Sequence, residues 1–233
     1  MGTPFQENSL KKKTAAFSYA GEFEIHLTVQ TDDIDASSFR LWCDRLDFKC
    51  VRIVLSRGTH AEQPMATWRR RDSELPTVLK EAEEYAASAR SDGHRVVRLK
   101  IETPLGNANV PQTDEESSSH DPMLYFEHHL KLQRRVGAPV DRLRQVCEQN
   151  QSHLSRNAFA RVDPLTEHRF VTLRSYGVGA KTSVEQVNGL LKKLAAIGEN
   201  VIEQESEYCV YDSNLDLDAG WLPESAEPFE RST

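Results

Sequence analysis

Phe23-Glu24-Ile25-His26-Leu27-Thr28-Val29-Gln30 returns 103 residues later as Phe126-Glu127-His128-His129-Leu130-Lys131-Leu132-Gln133, with five of the eight positions identical. A second match, Glu62 to Arg69 onto Glu167 to Arg174, has an offset of 105, and the same offset carries Gly93 onto Gly198 and Glu102 onto Glu207. Order and spacing persist across a whole unit. A period this long, met twice, indicates a duplicated small fold and not a solenoid, which stacks three or more short repeats.

Each copy reads as strand, helix, two strands, helix, strand. In the first, Phe23, Ile25, Leu27 and Val29 alternate with Glu24, His26, Thr28 and Gln30, the period of two of a strand with one buried face. Phe39, Trp42, Cys43 and Leu46 have helical spacing, with Asp35, Ser37 or Ser38 as N-cap candidates. Val51 to Leu55 and Met65 to Arg70 predict a hairpin closed by Arg57-Gly58-Thr59. Val78, Leu79, Ala82, Tyr85, Ala86 and Ala89 predict a second helix, with Pro76 in its first turn and Gly93 at its end. Val96 to Glu102 then alternates as a fourth strand.

This order is ferredoxin-like, βαββαβ, and the second copy repeats it. Its last helix carries a Thr182-x-x-Glu185 capping-box pattern and stops at Gly198, and its final strand runs from Val201 to about Tyr211. His128 falls on the core face by parity and is expected to be a hydrogen-bonded core histidine, whereas His153 lies in a polar stretch between helix and strand. The chain divides into an arm, residues 1–20, bearing Lys11-Lys12-Lys13; a first unit, 21–103; a linker, 104–122; a second unit, 123–211; and an acidic tail, 212–233, whose Leu215, Leu217 and Trp221 suggest packing before it frays. The fold class is α+β, two tandem units with a polar cleft between them if their open sheets face each other.

Composition bounds the function classes. With 38% hydrophobic and 28% charged residues, the 233-residue chain is ordinary for a globular protein. It lacks an apolar run of the ~20 residues a membrane helix needs and a cleavable leader pattern, so a cytoplasmic location is the expectation. Cys43, Cys50, Cys147 and Cys209 are scattered without a C-x-x-C pair, which speaks for reduced, buried thiols and against a zinc site or disulfide framework. The net charge of −7 disfavours bulk nucleic-acid binding but leaves room for a local phosphate site.

The candidate site lies on the strand faces opposite the helices. Arg69, Arg98, Lys100, Lys131 and Arg174 there are candidates to hold phosphate oxygens. Glu24, Glu203, Glu205 and Glu207 are candidates to hold Mg²⁺ or Mn²⁺, which prefer oxygen ligands, and His26 and His129 are candidate proton carriers. The expected ligand is a phosphate-bearing small molecule, a nucleotide or polyphosphate. Solvation and cross-strand pairing with Arg69 or Arg174 would also produce charged outer faces with no ligand at all.

Glu22-Phe23-Glu24-Ile25-His26 resembles the opening strand of the triphosphate-tunnel (CYTH-like) family, and Arg98-x-Lys100-x-Glu102 and Glu203-x-Glu205-x-Glu207 are similar to its later basic and acidic strands. The resemblance implies two fused ferredoxin-like halves around a charged tunnel and metal-dependent phosphohydrolase activity. His26-Leu27-Thr28-Val29 also resembles the H-x-T-x motif of the two-histidine phosphodiesterases, although His129-Leu130-Lys131-Leu132 has lysine in the hydroxyl position. The third alternative is a non-catalytic ligand-sensing or protein-interaction module, since this fold serves both binding and catalysis.

Overall fold

The computed structural model describes residues 18–30, 36–159 and 163–220. The Lys11-Lys13 arm and Trp221 lie outside them. The first unit consists of β1 (Ala20–Gln30), α1 (Ser37–Arg45), β2 (Lys49–Leu55), β3 (Glu62–Glu74), α2 (Leu75–Ser91) and β4 (Arg95–Pro104). A short helix α3 (Asp114–Ser117) leads to β5 (Tyr125–Arg135), α4 (Asp141–Gln149), β6 (Ser152–Asn157), β7 (Thr166–Tyr176), α5 (Ala180–Ala196) and β8 (Asn200–Asp212), followed by a 3₁₀ turn, Leu215–Asp218.

All strand pairs are antiparallel. The two four-stranded sheets join along both edges into one closed barrel, in the order β1-β3-β2-β6-β7-β5-β8-β4. The polar cleft expected between the units is therefore the inside of a barrel. Closure removes the sheet edges that would otherwise invite pairing with another chain. One seam is short, with Ile53, Val54 and Leu55 of β2 opposite Asn157, Arg156 and Ser155 of β6.

The apolar members of each alternating strand lie outside the barrel, under the helices. Phe23, Ile25 and Leu27 are fully buried with Phe39, Trp42 and Cys43 of α1 and Val78, Ala82, Ala86 and Ala89 of α2. Phe48 stacks on Trp68 at 4.5 Å. The second unit repeats the arrangement with Leu130, Leu132, Leu143, Cys147, Val187, Leu190 and Leu194. Burial of this apolar surface, at roughly 25 cal/mol per Å², is what seats the helices and leaves only the opposite strand faces for chemistry.

Several local expectations change. Ala36, in left-handed conformation, stands at the N-cap of α1 without a side-chain cap, so neither Ser37 nor Ser38 takes that role, and Asp35 lies outside the described residues. Helix α5 starts at Ala180 after an uncapped Gly179, so Thr182 and Glu185 fall inside it, and the capping box belongs instead to Thr113 and Glu116 of α3. The polar stretch holding His153 is strand β6. Gly93 (φ 86°) and Gly198 (φ 81°) do stand just past their helices in the left-handed region.

Gly179 joins the α3 turn to α5. Its N–H donates to Asp114 Oδ1 at 2.7 Å, and a Cβ there would lie 2.3–2.5 Å from backbone atoms of Thr113. Gly179→Ala is expected to destabilise the protein by about 1–3 kcal/mol, the usual cost of overpacking against immovable backbone. A denaturation midpoint equal to wild type would show that α3 moves aside.

Candidate functional site: the charged barrel interior

Duplication writes the interior twice. In the first unit Glu24 of β1 pairs in register with Arg69 of β3, and His26 with Thr67. In the second, Glu127 of β5 pairs with Arg174 of β7, and His129 with Thr172. The histidines make matching contacts: His26 Nδ1 lies 3.0 Å from Thr67 Oγ1, and His129 Nδ1 lies 3.1 Å from Thr172 Oγ1. The other ring nitrogen of each faces a carboxylate, His26 Nε2 to Glu102 at 2.8 Å and His129 Nε2 to Glu127 at 3.0 Å. The Glu127 carboxylate raises the pKa of His129 in spite of burial, which by itself lowers it.

Symmetry breaks along the last strand of each unit, where Arg98 and Lys100 correspond to Glu203 and Glu205, and the second of these breaks creates the site. Counted at the offset that relates Glu102 to Glu207, Lys100 corresponds to Glu205. In β4 the Lys100 ammonium bridges Glu102 and Glu127, 2.9 Å from each. Burial would raise the Glu102 carboxyl, but Lys100 and His26 outweigh it and hold it down at about 2. Arg174, Lys100 and His129 likewise hold Glu127 well below the ordinary carboxylate range against burial. In β8 the neighbour two residues before Glu207 is Glu205, another acid. Glu207 is 6% exposed and forms neither a hydrogen bond nor an ion pair with any described residue. Burial first, then the like charges of Glu102, Glu24 and Glu205, push its carboxyl up to about 10.

Glu24, Glu205 and Glu207 converge at one mouth of the barrel, with carboxylate oxygens within 4.8 Å of one another. They line a cavity of about 270 Å³ together with Glu22, Arg69, Pro104, Gln204 and Ser206. Arg69, half-exposed, donates to Glu24 and to Glu205, the latter at 2.6 Å. Glu207, Glu102 and His129 form a second such group deeper inside. Three of the four candidate metal ligands are thus brought together. Glu203 is not among them, because it pairs with Lys131 at 2.9 Å in a more exposed position.

The candidate phosphate ligands are already engaged. Arg98 is held by Asp212 and lies 2.8 Å from Asp218; Arg174 is held by Glu127 and also lies 2.8 Å from Asp218. Lys100 is spanned by its two glutamates and Lys131 by Glu203. The sequence reading did not include Asp212, Asp218, Tyr125 or Gln63, all of which complete this network. Tyr125 donates to Asp212 at 2.9 Å and its ring lies beneath Arg174, 4.7 Å from the guanidinium carbon. His128 lies in the core, bonded to Ser206 Oγ (2.8 Å) and Ser183 Oγ (2.6 Å), and burial lowers its pKa to about 4.

Cys43, Cys50, Cys147 and Cys209 are free thiols. None of the described helices is long and apolar enough to cross a membrane.

No family model matches the chain, and no curated protein does. Among solved structures it is similar to the acetolactate synthase small subunit from Thermotoga maritima, at 13% identity and a TM-score of 0.29, covering 79% of this chain and 92% of that one. It is also similar to a putative glycine cleavage system transcriptional repressor, at 8% identity and a TM-score of 0.23, covering 83% and 98%. At these TM-scores neither likeness extends to a function.

The resemblance to the triphosphate-tunnel family is corrected here: no family model supports it and neither of these structures is of that kind. The interior supplies the physical reason. Position 26 is a histidine bound to Thr67 and Glu102, and Arg98, Lys100 and Arg174 are neutralised by the chain's own carboxylates. The hydrolase activity and the magnesium ion which that resemblance implies fall with it.

Proposed function

We propose that this chain is a non-catalytic binding module that senses a small polar ligand at the acidic mouth of its barrel, through a divalent cation held by Glu24, Glu205 and Glu207. One observation carries the reading. Glu207 is a buried carboxylate with no ion pair among the described residues, lining a cavity with two further carboxylates whose like charges, with burial, outweigh the Lys100 ammonium. A buried acid in that setting either keeps its proton or takes a cation, and three carboxylates suit a hard, oxygen-preferring ion.

The finer reading is a phosphate-bearing ligand that arrives as its metal complex. A bare polyphosphate would meet Glu22, Glu24, Glu205 and Glu207 with only Arg69 to oppose them at the cavity wall. Once a cation takes Glu24 and Glu205, Arg69 loses both partners and can donate to phosphate oxygens, which its planar fork suits.

Thermal unfolding of the full chain with Mn²⁺, with inorganic triphosphate, and with both tests this reading. Mn²⁺ alone should stabilise, by about 2.7 kcal/mol at one hundred times its Kd, and triphosphate should add to this only when Mn²⁺ is present. The Mn²⁺ increment should vanish in Glu207→Gln and in Glu205→Lys, which restores the pattern of β4. An unchanged increment in both variants would reject the cation site. Release of phosphate from triphosphate would reject the non-catalytic reading.

A further inference from the structure

The barrel end away from the glutamate mouth is closed by the segment 213–220. Its 3₁₀ turn buries Leu217 and places Asp218 inside the barrel. Asp218 Oδ2 accepts from Arg98 Nη1 and Arg174 Nη1, both at 2.8 Å, and Oδ1 accepts from Gln63 Nε2 at 3.1 Å. Three donors from β4, β7 and β3 converge on one carboxylate, and both arginines are at least nine-tenths buried. Flanking guanidiniums and an amide donor are the arrangement by which proteins recognise a carboxylate ligand.

Charge balance indicates that Asp218 is a guest there and not a structural counter-ion. Arg98, Lys100 and Arg174 are already matched by Asp212, Glu102 and Glu127. Asp218 is a fourth carboxylate against these three cations, and the remaining basic groups of the interior, His26 and His129, face Glu102 and Glu127 and not Asp218. The start of the segment is tied to β4, by Ser213 N–H to Leu99 O (2.9 Å), Leu99 N–H to Ser213 Oγ (2.8 Å) and Asn214 Nδ2 to Val97 O (2.9 Å). Beyond Asn214 the backbone is bonded to the rest of the described barrel through Ala219 O alone, which accepts from Thr59 N–H (3.0 Å) and Oγ1 (3.2 Å). Leu217 N–H to Asn214 O (3.4 Å) and Ala219 N–H to Asp216 O (3.0 Å) lie within the turn itself. Beside it a cavity of about 190 Å³, lined by Gln63, Arg95, Asn214 and Leu217 among others, adjoins the same turn.

We propose that Arg98, Arg174 and Gln63 form a carboxylate-binding site at this end of the barrel, that Asp218 occupies it as a built-in ligand, and that a small carboxylic acid in solution competes with Asp218 and lifts the turn away. The site is separate from the cation at the opposite mouth and does not depend on it.

Formate and acetate are the probes, with chloride at matched ionic strength as the control. In the full-length Asp218→Ala protein, formate should raise the unfolding temperature saturably, with an apparent affinity about tenfold or more above its affinity for wild type, because the built-in competitor is gone. In wild type, formate should accelerate amide hydrogen exchange at Leu217 and Ala219 while leaving the core strands protected. Formate acting no differently from chloride on Asp218→Ala overturns the proposal. Should that variant fold only when formate is present, the site is confirmed; should it fail to fold in either salt, the wild-type exchange decides, and unaltered rates at saturating formate overturn the proposal.

Discussion

Lys100→Met is expected to cost the fold about 3–5 kcal/mol, the range for removing one partner from a buried ion pair. Lys100 is 7% exposed and bridges Glu102 and Glu127, which are 0% and 2% exposed. Methionine fills much of the volume, so the loss reports the charges it strands and not a cavity. Adding Glu102→Gln should return a large part of the stability, because charge then matches again and an amide needs no counter-ion. The pH dependence distinguishes this cause from poor packing. In wild type the depressed Glu102 carboxyl contributes stability that is present above its ordinary value of 4.5 and is lost as pH falls through about 2. Lys100→Met lacks that contribution, so the difference between the two proteins should narrow as pH falls from about 5. Urea titrations at pH 7 and pH 4 measure it. A deficit below about 1 kcal/mol that ignores pH would mean that water reaches these carboxylates.

Parity was legible in β1 and in β4 from Arg98 onward because polar and apolar residues alternate there, and in β8 because Glu203, Glu205 and Glu207 recur at every second position. This alone placed Glu24, His26, Arg98, Lys100, Glu205 and Glu207 on the face opposite the helices. Barrel closure was not, since the β2–β6 and β4–β8 seams pair residues far apart in sequence and no local pattern encodes them. Strand β6, Ser152-His153-Leu154-Ser155-Arg156-Asn157, holds a single apolar residue because its inner face lines a polar lumen, so it offers no hydrophobic alternation to read. Asp212 was hidden by a bulge: Cys209 opposes Glu102 while Tyr211 opposes Ile101, so one extra residue in β8 flips the parity and turns Asp212 inward. Asp218 sits on a turn whose apolar Leu215 and Leu217 signal packing but whose acid gives no sign of its target. The lack of a partner for Glu207 was in principle readable, since aligning the repeats sets Glu205 against Lys100.

Glu207→Gln is expected to stabilise the cation-free protein, by about 1–3 kcal/mol at pH 7. The folded state holds the Glu207 carboxyl at about 10, above its ordinary value of 4.5, so folding takes up a proton between those values. A group with a raised folded pKa contributes fully below the unfolded value and loses that contribution as pH climbs through the folded one. At pH 7 the unfolded chain has gained from ionising over about 2.5 pH units that the folded chain forgoes, which at 1.36 kcal/mol per unit sets a ceiling of about 3 kcal/mol. Glutamine has no such proton to hold. Its advantage should be nil near pH 4.5, grow through neutrality, and be larger still at pH 8.5. Mn²⁺ should reverse the ranking, because the ion needs the ionised carboxylate and expels its proton on binding. Calorimetry in two buffers of different ionisation heat should therefore count about one proton released per Mn²⁺ in wild type, and Glu207→Gln should show no Mn²⁺ binding in either buffer. A variant no more stable than wild type at pH 8.5 would show that Glu207 is ionised without the ion, and the cavity would then have to hold enough water to solvate it.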